Sequence, residues 1–208
     1  MASARTFERF ERDEVESAFR HYFLTGPVRE DWVAWGKLFL DDAPYNDHYY
    51  GTFHGPEEIA YFLDGTMSFA AHVYSPLVWY NIDGNQVVYK VVNRADNPEP
   101  GGPPIEFPSL QVIQYAGDGK WASEEDWWTP QEMKLFNQRY TEARERAGQG
   151  GPFPLSRKDW GQWVDWARPP EGADPKPSWL GRGIAPITHI KEMTKGVRHP
   201  RPGSALRS

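Results

Sequence analysis

Two aspartates sit in aromatic-rich stretches of this sequence where they could move protons. Asp47 lies in the run Ala43–Tyr50, in which strand alternation puts Tyr45, Asp47 and Tyr49 on one face. An aspartate between aromatic neighbours is desolvated, and its pKa rises toward the range useful to a general base at neutral pH. Asp126 lies in a second strand-like run, Trp121–Trp128. Two carboxyl groups in one aromatic pocket form an acid/base pair, because burial and mutual repulsion push their pKa values apart. The alternatives are that Asp47 caps a turn or pairs with a cation, and that Asp126 belongs to an exposed acidic strand with Glu124 and Glu125.

Histidines add two further candidates. His48 has the opposite strand parity to Asp47, so both face inward only if the strand is bulged; His72 opens a later strand. No two histidines stand at metal-ligand spacing with a carboxylate, so no metal site is predicted. The chain has no cysteine, which excludes disulfides, thiolate metal ligands and a cysteine nucleophile. GxSxG, P-loop and dinucleotide GxGxxG signatures are absent, and no cofactor is expected.

Aromatic residues make up 15% of the chain, enough to wall a pocket as well as fill a core. Trp79, Tyr89 and Trp128 on the long strands join Tyr45 and Tyr49 as candidate walls for a small hydrophobic molecule. The net charge of −6 is unevenly spread, with −11 over residues 1–147 and +5 over residues 148–208. An acidic body repels phosphate backbones, so nucleic acid is not an expected partner. A basic tail beside an acidic body is expected to lie across it or across a sister subunit, and a homodimer is predicted. No apolar run is long enough to span a bilayer, and the N-terminus does not read as a leader, so a cytoplasmic location is expected.

These residues need elements to position them. Apolar spacing predicts helices over Phe7–Phe23, stopped at Gly26-Pro27, and over Glu30–Leu40. Pro56 followed by Glu57 and Glu58 predicts a helix over Glu57–Asp64. The period then changes: His72–Ile82 and Gln86–Ala95 read as strands joined by the Asp83-Gly84 turn, and Glu106–Tyr115 and Trp121–Trp128 as two more around Gly117-Asp118-Gly119. A helix is predicted from Thr129 to Gly148. The fold class is α+β: a curved antiparallel sheet with helices on its concave face enclosing a pocket. Residues 1–147 form the domain, and residues 148–208 a Pro/Gly-rich basic arm with a short helix, Ser156–Ala167, bearing Trp160, Trp163 and Trp166. Val197–Ser208 is expected to be disordered.

The stretch LFLDDAPYNDHYYGTFHGPEEIAYFL, followed by the DG hairpin, the GDGKW turn and the EEDWW strand, resembles the nuclear-transport-factor-2-like superfamily in its SnoaL-like branch, over roughly residues 7–140, closest to actinobacterial members. That superfamily includes polyketide cyclases, ketosteroid isomerases, scytalone dehydratases and limonene epoxide hydrolases. By this resemblance Asp47 falls where ketosteroid isomerases keep the proton-moving carboxylate. Tyr22 lies within one residue of their enolate-stabilising Tyr, and Gln111 replaces their protonated Asp; glutamine donates a hydrogen bond but cannot act as an acid. Against the epoxide hydrolases, Asp126 matches a catalytic Asp and Tyr45 a Tyr, while Asp47 stands where an Asn holds the water. Val91 and Asn93 replace the Arg and Asp that complete that site, which removes its electrophilic partner. The histidine pair of scytalone dehydratases would correspond to His48 and His72.

The resemblance therefore implies a cofactor-independent proton-transfer enzyme of isomerase, dehydratase, cyclase or hydratase type, with Tyr22, Asn93 and Gln111 around Asp47 and Asp126. A non-catalytic ligand-binding or dimeric scaffold protein of the same fold is the alternative.

Overall fold

The computed structural model describes residues 10–173, 176–185 and 187; the expected disorder of Val197–Ser208 falls outside them. Helix α1, Arg12–Phe23, buries Val15, Phe19, Tyr22 and Phe23, the stripe that its three- and four-residue spacing dictates. Each such ring removed from water contributes about 2 kcal/mol. The helix does not stop at Gly26-Pro27. It continues as a π-helical turn, Leu24–Val28, which absorbs a proline that cannot donate a backbone hydrogen bond.

Helix α2, Trp32–Gly36, is shorter than expected and is capped by Asp31, whose carboxylate accepts from the Ala34 amide at 3.0 Å. The run Ala43–Tyr50 divides into strand β1, Pro44–Asp47, and a turn leading to strand β2, Gly51–His54. Helix α3, Gly55–Phe69, starts at Pro56, and Glu58 reaches back to accept from the His54 amide at 2.8 Å. Strands β3 (Leu77–Asp83), β4 (Gln86–Ala95), β5 (Ile105–Gly117) and β6 (Lys120–Trp127) follow, and helix α4, Pro130–Arg146, closes the body.

The six strands form one curved, unclosed sheet in the order β2-β1-β6-β5-β4-β3. From β3 to β6 it is the expected antiparallel meander, whereas β1 joins β6 in parallel. In β6 the pairs Gln114↔Ser123 and Tyr115↔Trp121 leave Ala122 over as a bulge. The extra residue lets Trp121 and Glu124, of opposite parity, both be buried on the concave side. Helices α1, α2 and α3 and the concave face share one aromatic core, and α4 makes a smaller one with Val73, Ile105 and Phe107.

The arm lies across this body, but Ser156–Ala167 forms bends and turns instead of the expected helix. Gly161 has φ +65, outside helical space, and the Trp163 ring packs where its side chain would be. The three tryptophans therefore separate: Trp160 meets Tyr74, Trp163 lies over Arg94, and Trp166 packs edge-on against Phe19 and Phe23. Arg157 reaches into the body and pairs with Glu30 at 2.5 Å, with side-chain exposures of only 2% and 1%. Further along, the Ser178 amide donates to the Glu30 carbonyl at 2.9 Å, Arg182 pairs with Asp64 at 2.7 Å, and Ile187 fills the notch left by Gly65.

A buried ion pair is costly to break from one side, because the remaining charge has no partner. Arg157→Met is therefore expected to lower the unfolding free energy by about 3–5 kcal/mol, measured by denaturant titration. Combining it with Glu30→Gln is expected to recover a large part of that loss.

Candidate active site

Register decides which side chains meet. Parallel pairing of β1 with β6 sets Tyr45 opposite Glu124 and Asp47 opposite Asp126. Antiparallel pairing of β5 with β6 sets Gln111 opposite Asp126. Tyr22 descends from α1, and Tyr89 rises from β4. Between them lies a cavity of about 100 Å³ whose lining includes Glu124 and Asp126 but no lysine, arginine or histidine.

Asp126 is the acid at the cavity wall. Its Oδ1 accepts from Ser109 Oγ at 2.7 Å and Gln111 Nε2 at 3.0 Å, and its Oδ2 from the Tyr45 hydroxyl at 3.3 Å. Gln111 Nε2 also donates to Ser109 Oγ, which locks the amide in place. These donors favour the ionised form; burial and the neighbouring Asp47 carboxylate oppose them and win, and the Asp126 pKa is pushed up to about 7.

Asp47 is buried and close by, but its oxygens are committed. Oδ1 accepts from the Tyr49 and Tyr50 amides at 2.8 and 2.7 Å, and Oδ2 from the Trp128 indole at 3.1 Å. It thus caps the β1–β2 turn and does not line the cavity. Burial still raises its pKa. Of the expected pair, only Asp126 faces the cavity, and Asp47 acts on it through charge.

A second cluster occupies the deep end. The Tyr22 hydroxyl donates to Glu124 Oε2 at 2.5 Å and meets the Tyr89 hydroxyl at 2.9 Å, while Tyr89 stands 3.4 Å from Glu124 Oε1. All three residues are almost fully buried, and desolvation raises each pKa well above its ordinary value. Burial accordingly favours the neutral, protonated form of Glu124. With Glu124 protonated, three acidic protons serve two close contacts and one long one of 3.4 Å, and the proton of the long contact is the most weakly held.

The structure brings Tyr22, Tyr45, Tyr89, Asn93, Gln111 and Asp126 to the cavity as sequence reasoning expected. Asn93 accepts from Ser75 Oγ at 3.0 Å. Tyr49 and Trp128 instead pack on each other, with rings tilted by 51°, around the Asp47 turn. Trp79 is a correction: it pairs with Lys90 across the convex face and is 43% exposed. His48 is another, since β1 has no bulge to turn it inward; it is exposed and stacks on Trp127 at 3.5 Å. His72 is buried but belongs to the smaller core, against Tyr140 and Phe153. Glu124 was missed, although it shares Asp126's parity, because it was grouped with Glu125 as an exposed run. Trp32 and Trp35, within the expected helix Glu30–Leu40, stand at the cavity's helical wall, which helical spacing alone does not show.

Among the described residues there is no group of three or more histidine, cysteine or acidic side chains placed to hold a metal, and no helix is long and apolar enough to cross a membrane.

The sequence model of the SnoaL-like domain family matches residues 15–124. No curated protein matches the chain. Among solved structures, an epoxide hydrolase of the limonene-hydrolase-like type from M. tuberculosis aligns at 18% identity and TM-score 0.50, covering 64% of this chain and 96% of its own. TerC, co-crystallised with polyporic acid, aligns at 14% identity and TM-score 0.50, covering 60% and 98%. A putative SnoaL-like polyketide cyclase from Shewanella denitrificans aligns at 17% identity and TM-score 0.47, covering 61% and 98%. At these identities the likeness is one of fold.

The raised pKa of Asp126 has a stability consequence with a definite sign. Between the ordinary carboxylate value of about 4 and about 7, the unfolded chain releases this proton while the folded one keeps it. This residue's contribution therefore declines as pH rises through that window. Asp126→Asn removes the effect: relative to the parent, its unfolding free energy is expected to gain on the order of 3 kcal/mol from pH 4 to pH 7, measured by denaturant titration at each pH.

Proposed function

The chain belongs to the SnoaL-like domain family, and we propose that it is a cofactor-independent proton-transfer enzyme acting on a small, largely apolar molecule in the concave cavity. The observation that carries this reading is Asp126, a carboxyl at the cavity wall with its pKa about 7 and no cation beside it. A base is most useful when its pKa matches the working pH, where it is partly ionised and still basic enough to accept a proton from carbon. As a carboxylate, Asp126 takes a proton from the carbon next to a substrate carbonyl. The most weakly held O–H of the Tyr22–Glu124–Tyr89 cluster, that of the 3.4 Å contact, turns to donate to the oxygen on which charge develops. Returning the proton to another carbon is isomerisation; returning it to a departing hydroxyl is dehydration.

Gln111, Ser109 and Tyr45 are positioning residues for Asp126, and Asp47 sets its basicity. Asn93, beside Ser75, gives the wall a further polar group. Epoxide opening is the less favoured member of the class, because the cavity has no cationic side chain to stabilise an opening alkoxide. The second reading, a ligand-binding protein without catalysis, draws on Asp47 being spent on its turn, which leaves Asp126 without its expected acid/base partner at the cavity. Native mass spectrometry separates the two: a retained lipophilic ligand that is never converted favours binding.

We also propose a homodimer formed through the convex face and acting in the cytoplasm. Trp79, Lys90, Leu110 and Trp127 pair in one row across four strands, and three of the four are exposed apolar residues. Trp127→Glu is expected to convert a dimer to a monomer in sedimentation velocity, and an unchanged sedimentation coefficient would remove this surface as the interface.

For the reaction, α-hydrogen exchange in D₂O, followed by NMR across ketones graded in size, supplies the assay. The exchange kcat/KM is expected to rise as pH passes through about 7 and then level off. Asp126→Asn is expected to lower it by about 10²–10⁴-fold, and Tyr22→Phe to lower kcat by about 10²-fold with little change in KM.

A further inference from the structure

Three cavity-wall residues carry a buried polar atom with no hydrogen-bond partner, Gln111, Trp32 and Trp35, and the Trp35 indole nitrogen is packed against Gly26. Gln111 spends its amide nitrogen on Asp126 and Ser109, but its carbonyl oxygen, fully buried, has no hydrogen-bond partner. The Trp32 indole N–H is likewise buried and unpartnered. A buried polar atom left unpaired costs about 1–3 kcal/mol. A ligand that accepts from one and donates to the other recovers that cost, and an apolar ligand does not.

Size and charge narrow the ligand further. The cavity holds about 100 Å³, whereas an apolar cavity of about 150 Å³ is what admits a benzene ring. On that scale it encloses roughly four non-hydrogen atoms, so a ligand of about four to six atoms fills it to its mouth, far below a steroid or a polycyclic polyketide. The lining carries two carboxyl groups and no basic side chain, so a carboxylate or phosphate on the ligand would be desolvated beside like charge. Both walls are held by hydrogen bonds. The Trp32 amide donates to Ser178 Oγ at 3.0 Å, so the arm holds the start of helix α2, which carries this tryptophan. On the opposite wall, Gln111 is fixed by two bonds.

We propose that the site takes a compact, neutral hydroxy-ketone, whose carbonyl accepts from the Trp32 indole and whose hydroxyl donates to the Gln111 carbonyl. This rests on the proton-transfer reading for what happens to the ligand, but not for its binding. Such molecules are produced by carbon–carbon bond formation between two small carbonyl compounds, and enediol formation through Asp126 would interconvert their isomers. The proton leaves the carbinol carbon for the Asp126 carboxylate and returns to the former carbonyl carbon, while the hydroxyl proton moves to the former carbonyl oxygen. Atoms and electrons balance without an external oxidant.

The test is an NMR titration of the ¹⁵N-labelled full chain, with the Trp32 indole resonance assigned through Trp32→Phe. The probes are 3-hydroxybutan-2-one, butan-2-one, tetramethylammonium and a steroid diketone. The expected result is that 3-hydroxybutan-2-one shifts the Trp32 N–H and binds about tenfold more tightly than butan-2-one, with no binding of the steroid. Trp32→Phe is expected to weaken the hydroxy-ketone about fivefold. Equal binding of the two small ketones, tighter binding of tetramethylammonium, binding of the steroid, or an unmoved Trp32 resonance overturns the proposal. Deuterium exchange on the same samples separates the two readings. Specific binding without exchange keeps the ligand class and removes the enzyme; exchange on small and large ketones alike keeps the enzyme and removes the ligand class.

Discussion

The site depends on one pairing, in which β1 joins β6 in parallel and sets Asp47 opposite Asp126 on the inner side of the sheet. Neither carboxyl receives a lysine or arginine, so both are raised by burial, and Asp126 is raised further by its neighbour. An ion pair at this place would hold Asp126 ionised and weakly basic. Its absence leaves a carboxyl that can change protonation near neutrality, with Ser109, Gln111 and Tyr45 fixing its orientation.

The remaining architecture serves to keep that region dry and narrow. Helix α1 delivers Tyr22 to Glu124, and the aromatic core shuts out the water that would otherwise lower every one of these pKa values. The arm tightens the same region from outside by gripping Glu30, Asp64 and Gly65 on the loop and helix that flank the cavity. The buried Arg157–Glu30 pair is costly to form, but it specifies where the arm lies. Among the described residues, a chain with 19 prolines and 19 glycines thus holds its arm against the body without a helix.

Much of this was legible in the sequence, and the failures have physical causes. The Asp83-Gly84 and Gly117-Asp118-Gly119 turns fixed the meander, because turn chemistry is local. Tyr22, Gln111 and Asp126 followed from helix spacing and strand parity together with the family pattern. Asp47 was placed correctly as inward and buried, but its commitment to two amides depends on the chain turning at His48, which parity alone does not show. Glu124 was hidden by its position in an acidic run. Alternation exposes Glu125 while burying Glu124, so a cluster of like residues conceals opposite environments. The three tryptophans of the arm have helical spacing, but the positive φ of Gly161 overrides it and sends each ring to a different partner.

The most direct measurement is the titration of the Asp126 side-chain carboxyl by ¹³C NMR in the parent protein and in Asp47→Asn. The account predicts a midpoint about 7 in the parent and a lower one in the variant, still above the ordinary value because burial remains. A midpoint near about 4 in both proteins would contradict it, since Asp126 would then be an ordinary ionised carboxylate with no special capacity to take a proton from carbon.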